Sequence, residues 1–137
     1  MSLFVDTSVW YAAADSADAS NARAKEILSV GVPLVTSDHV LVETWTLLRW
    51  RIHKDAAEEF WSGLRSGVGR VETVGPADLQ AAWSMGRDFP DQDFSLVDRT
   101  SFAVMERLGL ERVASFDADF AVYRWGPRRD RAFEVLR

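Results

Sequence analysis

The chain alternates short apolar runs with stretches of helical periodicity, and this alternation constrains the fold more than any other feature. Strands of a parallel sheet are covered by helices on both faces, so they read as brief, near-continuous apolar runs. Leu3–Val5 is the first such run and Asp6 closes it. Further runs at 32–37, 71–74 and 112–116 predict strands, and 133–136 predicts an edge strand. Between them the spacing predicts helices at 9–14 and at 17–30, the latter with Ala24, Ile27 and Leu28 on one stripe before Gly31. Asp38–Arg51 carries Leu41, Trp45 and Leu48 at i, i+4, i+7, and Lys54–Arg65 carries Ala57, Phe60, Trp61 and Leu64 inward. Pro76 opens a helix to Asp88, since proline suits a first helical turn. Residues 95–108 form the last long helix, ended by Gly109, with a polar connection at 90–94 before it. The six tryptophans are expected mostly in the core, with Trp45, Trp61 and Trp83 on helix stripes. There is no repeat, low-complexity tract or linker, so residues 1–137 read as one α/β domain around a mainly parallel sheet.

The chain has no cysteine, which excludes disulfides, thiolate nucleophiles and cysteine zinc sites. Any metal must be held by oxygen. The longest apolar run, 9–14, is far short of the ~20 residues that span a bilayer, and no signal-like segment precedes Asp6. The expectation is a soluble, cytoplasmic protein without membrane contact. A net charge of −5 opposes phosphate binding by the protein alone. Divalent cations in an acidic pocket would reverse that locally.

Four acids stand among apolar neighbours: Asp6 at the first strand's end, Glu43 in the helix from 38, Asp98 in the helix from 95, and Asp117 after the strand at 112–116. Carboxylates are almost never buried unless paired or bound to metal. Asp6 and Asp117 also suit helix N-caps, and Ser95-x-x-Asp98 has the form of a capping box. Glu43 has no such explanation, because it lies mid-helix with no Lys or Arg three or four positions away. Together the four suggest the oxygen-only donor set that Mg²⁺ or Mn²⁺ requires, for one ion or a pair.

The segments Phe-Val-Asp-Thr-Ser-Val-Trp (4–10), Val-Glu-Thr (42–44), Phe-Ser-Leu-Val-Asp-Arg-Thr-Ser-Phe-Ala-Val-Met (94–105) and Ser-Phe-Asp-Ala-Asp-Phe (115–120) resemble the successive motifs of PIN-domain ribonucleases, in particular VapC toxins of type II toxin–antitoxin systems. The resemblance runs from residue 2 to about 120, and four motifs in order and spacing make it specific. It implies a three-layer α/β/α sandwich and a Mg²⁺- or Mn²⁺-dependent endoribonuclease with one or two ions. The implied acidic site is Asp6, Glu43, Asp98 and Asp117, with Asp119 as a further ligand and Thr7, Ser8 and Ser101 as supporting polar residues. The implied partners are RNA, a VapB-like antitoxin and a second copy of the chain in a homodimer.

The only two histidines, His39 and His53, have no evident catalytic partner, so cleavage through the ribose hydroxyl is not expected. Both are expected at the surface or in caps. Two basic clusters are candidates for RNA contact: Arg49, Arg51 and Lys54, and Arg124, Arg128, Arg129 and Arg131 with Trp125 interleaved. A solvated charged rim is the commoner explanation of such clusters. Asp93 is either an outer acid or a solvated loop residue. A phosphohydrolase with an Asp nucleophile needs a second acid where Ser8 stands. A receiver domain needs a strand-end lysine, which neither Lys25 nor Lys54 supplies. The remaining alternative is a silent PIN-like module that binds RNA or protein without turnover.

Overall fold

A computed structural model describes residues 1–137. Five strands, β1 (Leu3–Val5), β2 (Leu34–Ser37), β3 (Arg70–Glu72), β4 (Arg112–Ala114) and β5 (Glu134–Leu136), form one sheet in the order β3-β2-β1-β4-β5. Every pairing is parallel, with Leu3 opposite Leu34, Phe4 between Val35 and Val113, and Val5 opposite Ala114. The wholly apolar β1 takes the central place, where Leu3, Phe4 and Val5 have no solvent exposure. Seven helices join the strands: α1 (Thr7–Ala14), α2 (Asn21–Leu28), α3 (Asp38–Arg51), α4 (Lys54–Arg65), α5 (Pro76–Asp88), α6 (Leu96–Leu108) and α7 (Asp119–Val122).

Parallel crossovers are right-handed, so α1 to α4, on the path from β1 to β3, cover one face, and α5 to α7 cover the other. The path leaves β1 in one direction through β2 and β3 and returns to the other side of β1 for β4. The ends of β1 and β4 therefore flank a topological switch point, where open α/β sheets form their ligand crevice. Asp6 and Asp117 stand just beyond these two ends. Beneath α6 an aromatic cluster fixes the C-terminal segment: Tyr123 stacks on Phe102 at 4.1 Å, and Phe94, Phe120 and Phe133 pack around them.

Several elements depart from the sequence expectation. Helix α1 starts at Thr7, directly after Asp6. The helix expected over 17–30 begins only at Asn21, because Asp15 accepts the Ala17 N–H at 3.0 Å and Asp18 accepts the Ser20 N–H at 2.8 Å. Such side-chain turns compete with helical hydrogen bonds. Strand β3 lies at 70–72 instead of 71–74. The expectation of core tryptophans on helix stripes fails for Trp83, 67% exposed, and Trp61, 43% exposed. The inward face of α5 is formed by Asp78, Ala82 and Met85, which leaves position 83 outside it. Trp10 is buried instead, with its indole N–H directed at Thr36 Oγ1 at 3.3 Å. His53 is the N-cap of α4, accepting from the Ala56 N–H at 3.1 Å, and His39 is partly buried with Nδ1 3.2 Å from Thr100 Oγ1.

Candidate active site

Asp6 occupies the N-cap position of α1, yet its carboxylate makes no capping bond. Its Oδ2 instead accepts from Ser8 Oγ at 3.0 Å and Ser115 Oγ at 2.9 Å. The β1–β4 pairing sets this geometry, since the Asp6 N–H donates to Ala114 O at 3.0 Å and so holds the two strand exits side by side. Ser115 Oγ also accepts the Asp117 N–H at 3.0 Å, and Asp117 Oδ1 accepts the Asp119 N–H at 3.0 Å. The loop at 115–119 thus links the Asp6, Asp117 and Asp119 side of the site through hydrogen bonds. Ser95 is the N-cap of α6 and accepts the Asp98 N–H at 3.0 Å. The return bond of a capping box, from Asp98 to the Ser95 N–H, is not made. Helix α5 shows the alternative, because Asp78 there does accept the N-cap Gly75 N–H at 3.0 Å. Asp98 is left free to face Asp6.

These side chains line a cleft of about 540 Å³. Asp6, Glu43, Asp98, Asp117 and Asp119 all face it, together with Thr7 and Ser8 and, nearer the rim, Asp18 and Asp93. Carboxylate oxygens of Asp98, Asp117 and Asp119 lie within 4.8 Å of one another. Burial, only partly offset by the Ser115 and Ser8 hydroxyls, pushes the Asp6 carboxyl up to about 6. Burial, the charge of Asp6 and a hydrogen bond that its protonated form gives Asp119 push Asp98 up to about 8. Burial and the charges of Asp117 and Asp93 raise Asp119 as well. Thr7 adds a buried Oγ1 with no partner. Crowded acids that resist ionisation, an unpartnered hydroxyl beside them and an all-oxygen donor set fit a hard divalent cation.

The structure does not gather all the residues expected at the site. Ser101 Oγ donates to Val97 O at 2.8 Å within its own helix and does not line the cleft. Of the basic residues, Arg51 alone lines it. Arg49 lies over the Trp50 ring, and Lys54 and Arg128 are exposed elsewhere. Arg124 donates to the carbonyls of Ala121, Val122 and Tyr123, closing the short α7. Arg129 binds Asp88 at 3.0 Å and the Tyr123 hydroxyl at 2.7 Å, and Arg131 covers Trp125. The C-terminal cluster is committed to packing. The sequence reading missed Asp18, Ser20 and Tyr11 in the cleft lining, and Ser115 behind it, bonded to Asp6. Ser115 was findable as the residue after β4, the position equivalent to Asp6 after β1. Tyr11 was findable from its place four residues after Thr7, on the same face of α1.

A parallel sheet in this order, with acids converging at its switch point, is an α/β domain with a candidate cation site, and comparison with known proteins gives its family. The PIN domain family matches residues 3–126. The 23S rRNA-specific endonuclease VapC20 of Mycobacterium tuberculosis is 43% identical over 121 residues, 87% of this chain and 92% of that protein. The crystal structure of M. tuberculosis VapC20, described as a sarcin–ricin loop cleaving toxin, superposes with a TM-score of 0.83 at 39% identity, covering 88% of this chain and 93% of that one. VapBC2 from Rickettsia felis, bound to a DNA fragment from its promoter, shares the fold at a TM-score of 0.69 and 11% identity over 99% and 98% of the two chains. The chain belongs to the PIN-domain family, among its VapC members.

Proposed function

We propose that this protein is a metal-dependent endoribonuclease, the toxin of a type II toxin–antitoxin pair, and that its substrate is the sarcin–ricin loop of 23S rRNA. The observation that carries the proposal is the convergence of five carboxylates, with Asp6 and Asp98 held well above the ordinary carboxylate range, in one cleft at the switch point. The substrate follows from the likeness to VapC20, which extends over nearly the whole of both chains.

Asp6, Glu43, Asp98, Asp117 and Asp119 would hold Mg²⁺ or Mn²⁺, as one ion or two. Bound there, such an ion supplies Lewis acidity toward the phosphate and lowers the pKa of water to near neutrality. The chain's own residues prepare the place. Ser8 and Ser115 fix one carboxylate oxygen of Asp6 and leave the other, Oδ1, for the cleft. Burial and the neighbouring charges favour the protonated form of Asp98, which as a donor to Asp119 would relieve the repulsion among the acids. Arg51, in none of the molecule's ion pairs, lies over the Tyr11 ring at 5.2 Å on the rim. It gives a backbone phosphate a cation, and Tyr11 gives a base a stacking face. Neither histidine lines the cleft, which favours hydrolysis over acid–base cleavage through the ribose hydroxyl and so products with a 5′-phosphate and a 3′-hydroxyl. A 2′-deoxy substitution at the scissile nucleotide should therefore leave cleavage intact, and its loss would refute this chemistry.

The partner reading is a small antitoxin whose C-terminal segment covers the acidic cleft, with an arginine standing in electrostatically for the cation. Homodimerisation would use apolar helix surface such as the hollow of Leu41, Val42, Trp45 and Trp61. No helix is long and apolar enough to cross a membrane. Co-expression with the neighbouring gene product, followed by size-exclusion chromatography, tests both. A monomer that captures no partner would refute them. Mn²⁺-dependent cleavage of a sarcin–ricin hairpin, absent on a scrambled hairpin, separates a toxin from a silent binding module.

A further inference from the structure

Arg99 follows Asp98 directly, but its side chain turns away from the cleft and lies between α5 and α6. There its Nε donates to Phe94 O at 3.2 Å and its Nη1 to Ala82 O at 3.3 Å. It makes no ion pair. The guanidinium reaches the α5 backbone only because residue 86 is glycine: a Cβ at that position would overlap Nη1 and stand 3.3 Å from Cζ. Glycine inside a helix is disfavoured relative to alanine, so its presence in α5 calls for a local reason, and this close approach supplies one.

The peptide that Arg99 holds belongs to Phe94, immediately before the α6 N-cap. Ser95 next accepts the Asp98 N–H through its hydroxyl, and its carbonyl accepts the Arg99 N–H at 3.0 Å. A continuous chain of hydrogen bonds thus runs from α5 through Arg99 and the 94–95 peptide to the turn that presents Asp98. Asp93 and Ser95, on the same stretch, line the cleft.

We infer that Arg99 is a positioning residue: seated against Gly86, it locks the entry of α6 to α5 and so sets where the Asp98 carboxylate stands relative to Asp6, Asp117 and Asp119. The inference rests on the proposed cation site, since losing a contact that orients a ligand typically weakens metal binding roughly 10- to 100-fold. It differs from a role in stability alone in its readout, because a purely structural Arg99 would leave the Mn²⁺ affinity of the folded protein unchanged when the seat is lost. Gly86→Ala displaces the Arg99 Nη1 bond to Ala82 O but improves helix propensity, and the atom it displaces is the far end of a flexible side chain. The gain in helix propensity offsets the lost hydrogen bonds, so the variant should fold and melt near the wild-type temperature, with Arg99 forced out of its seat.

The test is Mn²⁺ affinity by calorimetric titration, beside thermal melts, for wild type, Gly86→Ala, Arg99→Met and the double variant. The expected result is Mn²⁺ binding weakened roughly tenfold in Gly86→Ala with a melting temperature close to that of wild type. Arg99→Met should weaken binding similarly, and the double variant no further, because both substitutions break the same contact. Wild-type Mn²⁺ affinity in Gly86→Ala, or additive losses in the double variant, would overturn the inference even if Arg99→Met folds poorly. If wild type binds Mn²⁺ but cleaves no RNA, the functional reading fails while the positioning role stands.

Discussion

At the scale of single residues, Asp98 carries both the demands of helix initiation and those of the site, and the site prevails. Its backbone N–H takes the Ser95 cap while its carboxylate leaves the capping geometry for a cluster of like charges. Sequence alone left the two readings level, since Ser-x-x-Asp serves either. The pH dependence follows from the raised carboxyls. Without metal, the folded protein retains protons on Asp6 and Asp98 up to about 6 and 8, whereas the unfolded chain loses them near 4. Stability from this source is complete below about pH 4 and declines as pH rises to 8. Melts of wild type in EDTA should therefore fall in temperature from pH 5 to 8. Asp98→Asn should flatten that fall, melt at or above wild type at pH 8, and lose both cleavage and most of the Mn²⁺ stabilisation. A capping Asp98 predicts instead a loss on the order of 0.5 to 1 kcal/mol with or without Mn²⁺.

Ser115 gives a second prediction at this scale. Its hydroxyl favours the ionised form of Asp6, so Ser115→Ala should raise the Asp6 pKa further. Titration of Mn²⁺ binding against pH should then show the loss of binding on acidification at a higher pH than in wild type. An unchanged profile would remove Ser115 from the site.

At the scale of elements, the pairing of α5 with α6 shows what an acid does when it is not part of the cleft. Asp78 is 4% exposed, accepts the Gly75 N–H, and is gripped by Arg107 through Nε at 3.0 Å and Nη2 at 3.1 Å. Burial raises its carboxyl, but Arg107 and the Gly75 N–H outweigh burial and leave it below the ordinary value. Its stabilisation is present above about pH 4 and lost as pH falls further, opposite in sign to Asp98. Asp78→Ala should cost roughly 1 to 3 kcal/mol at pH 7 by denaturant titration, with cleavage per folded molecule unchanged. Helices were legible wherever an apolar stripe ran uninterrupted, as in α3 and α6. They were misread where side chains act on the backbone, as at Asp15 and Asp18, or where a large side chain lies just off the stripe, as at Trp83.

At the scale of the whole molecule, alternation conveyed an α/β fold and a parallel sheet, because burial on both faces leaves a pattern in each strand. The strand order left none: nothing local to β4 marks it as the neighbour of β1 on the side away from β2. The acids were legible for the same reason as the strands, being charged residues in apolar surroundings. The basic residues were not, since an arginine on packing duty, such as Arg129 beside Asp88 and Tyr123, reads the same in sequence as one facing solvent. Ser115 and Tyr11 join the site only through the β1–β4 pairing and the placement of α1. The central claim is that converging carboxylates make this cleft a cation-dependent ribonuclease. Its most direct test is incubation of a sarcin–ricin hairpin RNA with the purified protein in Mn²⁺ and in excess EDTA, with Asp6→Asn alongside. A single cut ending in a 3′-hydroxyl, made in Mn²⁺ by wild type and absent both in EDTA and with Asp6→Asn, is the predicted result; equal cutting in EDTA, or by Asp6→Asn, would contradict it.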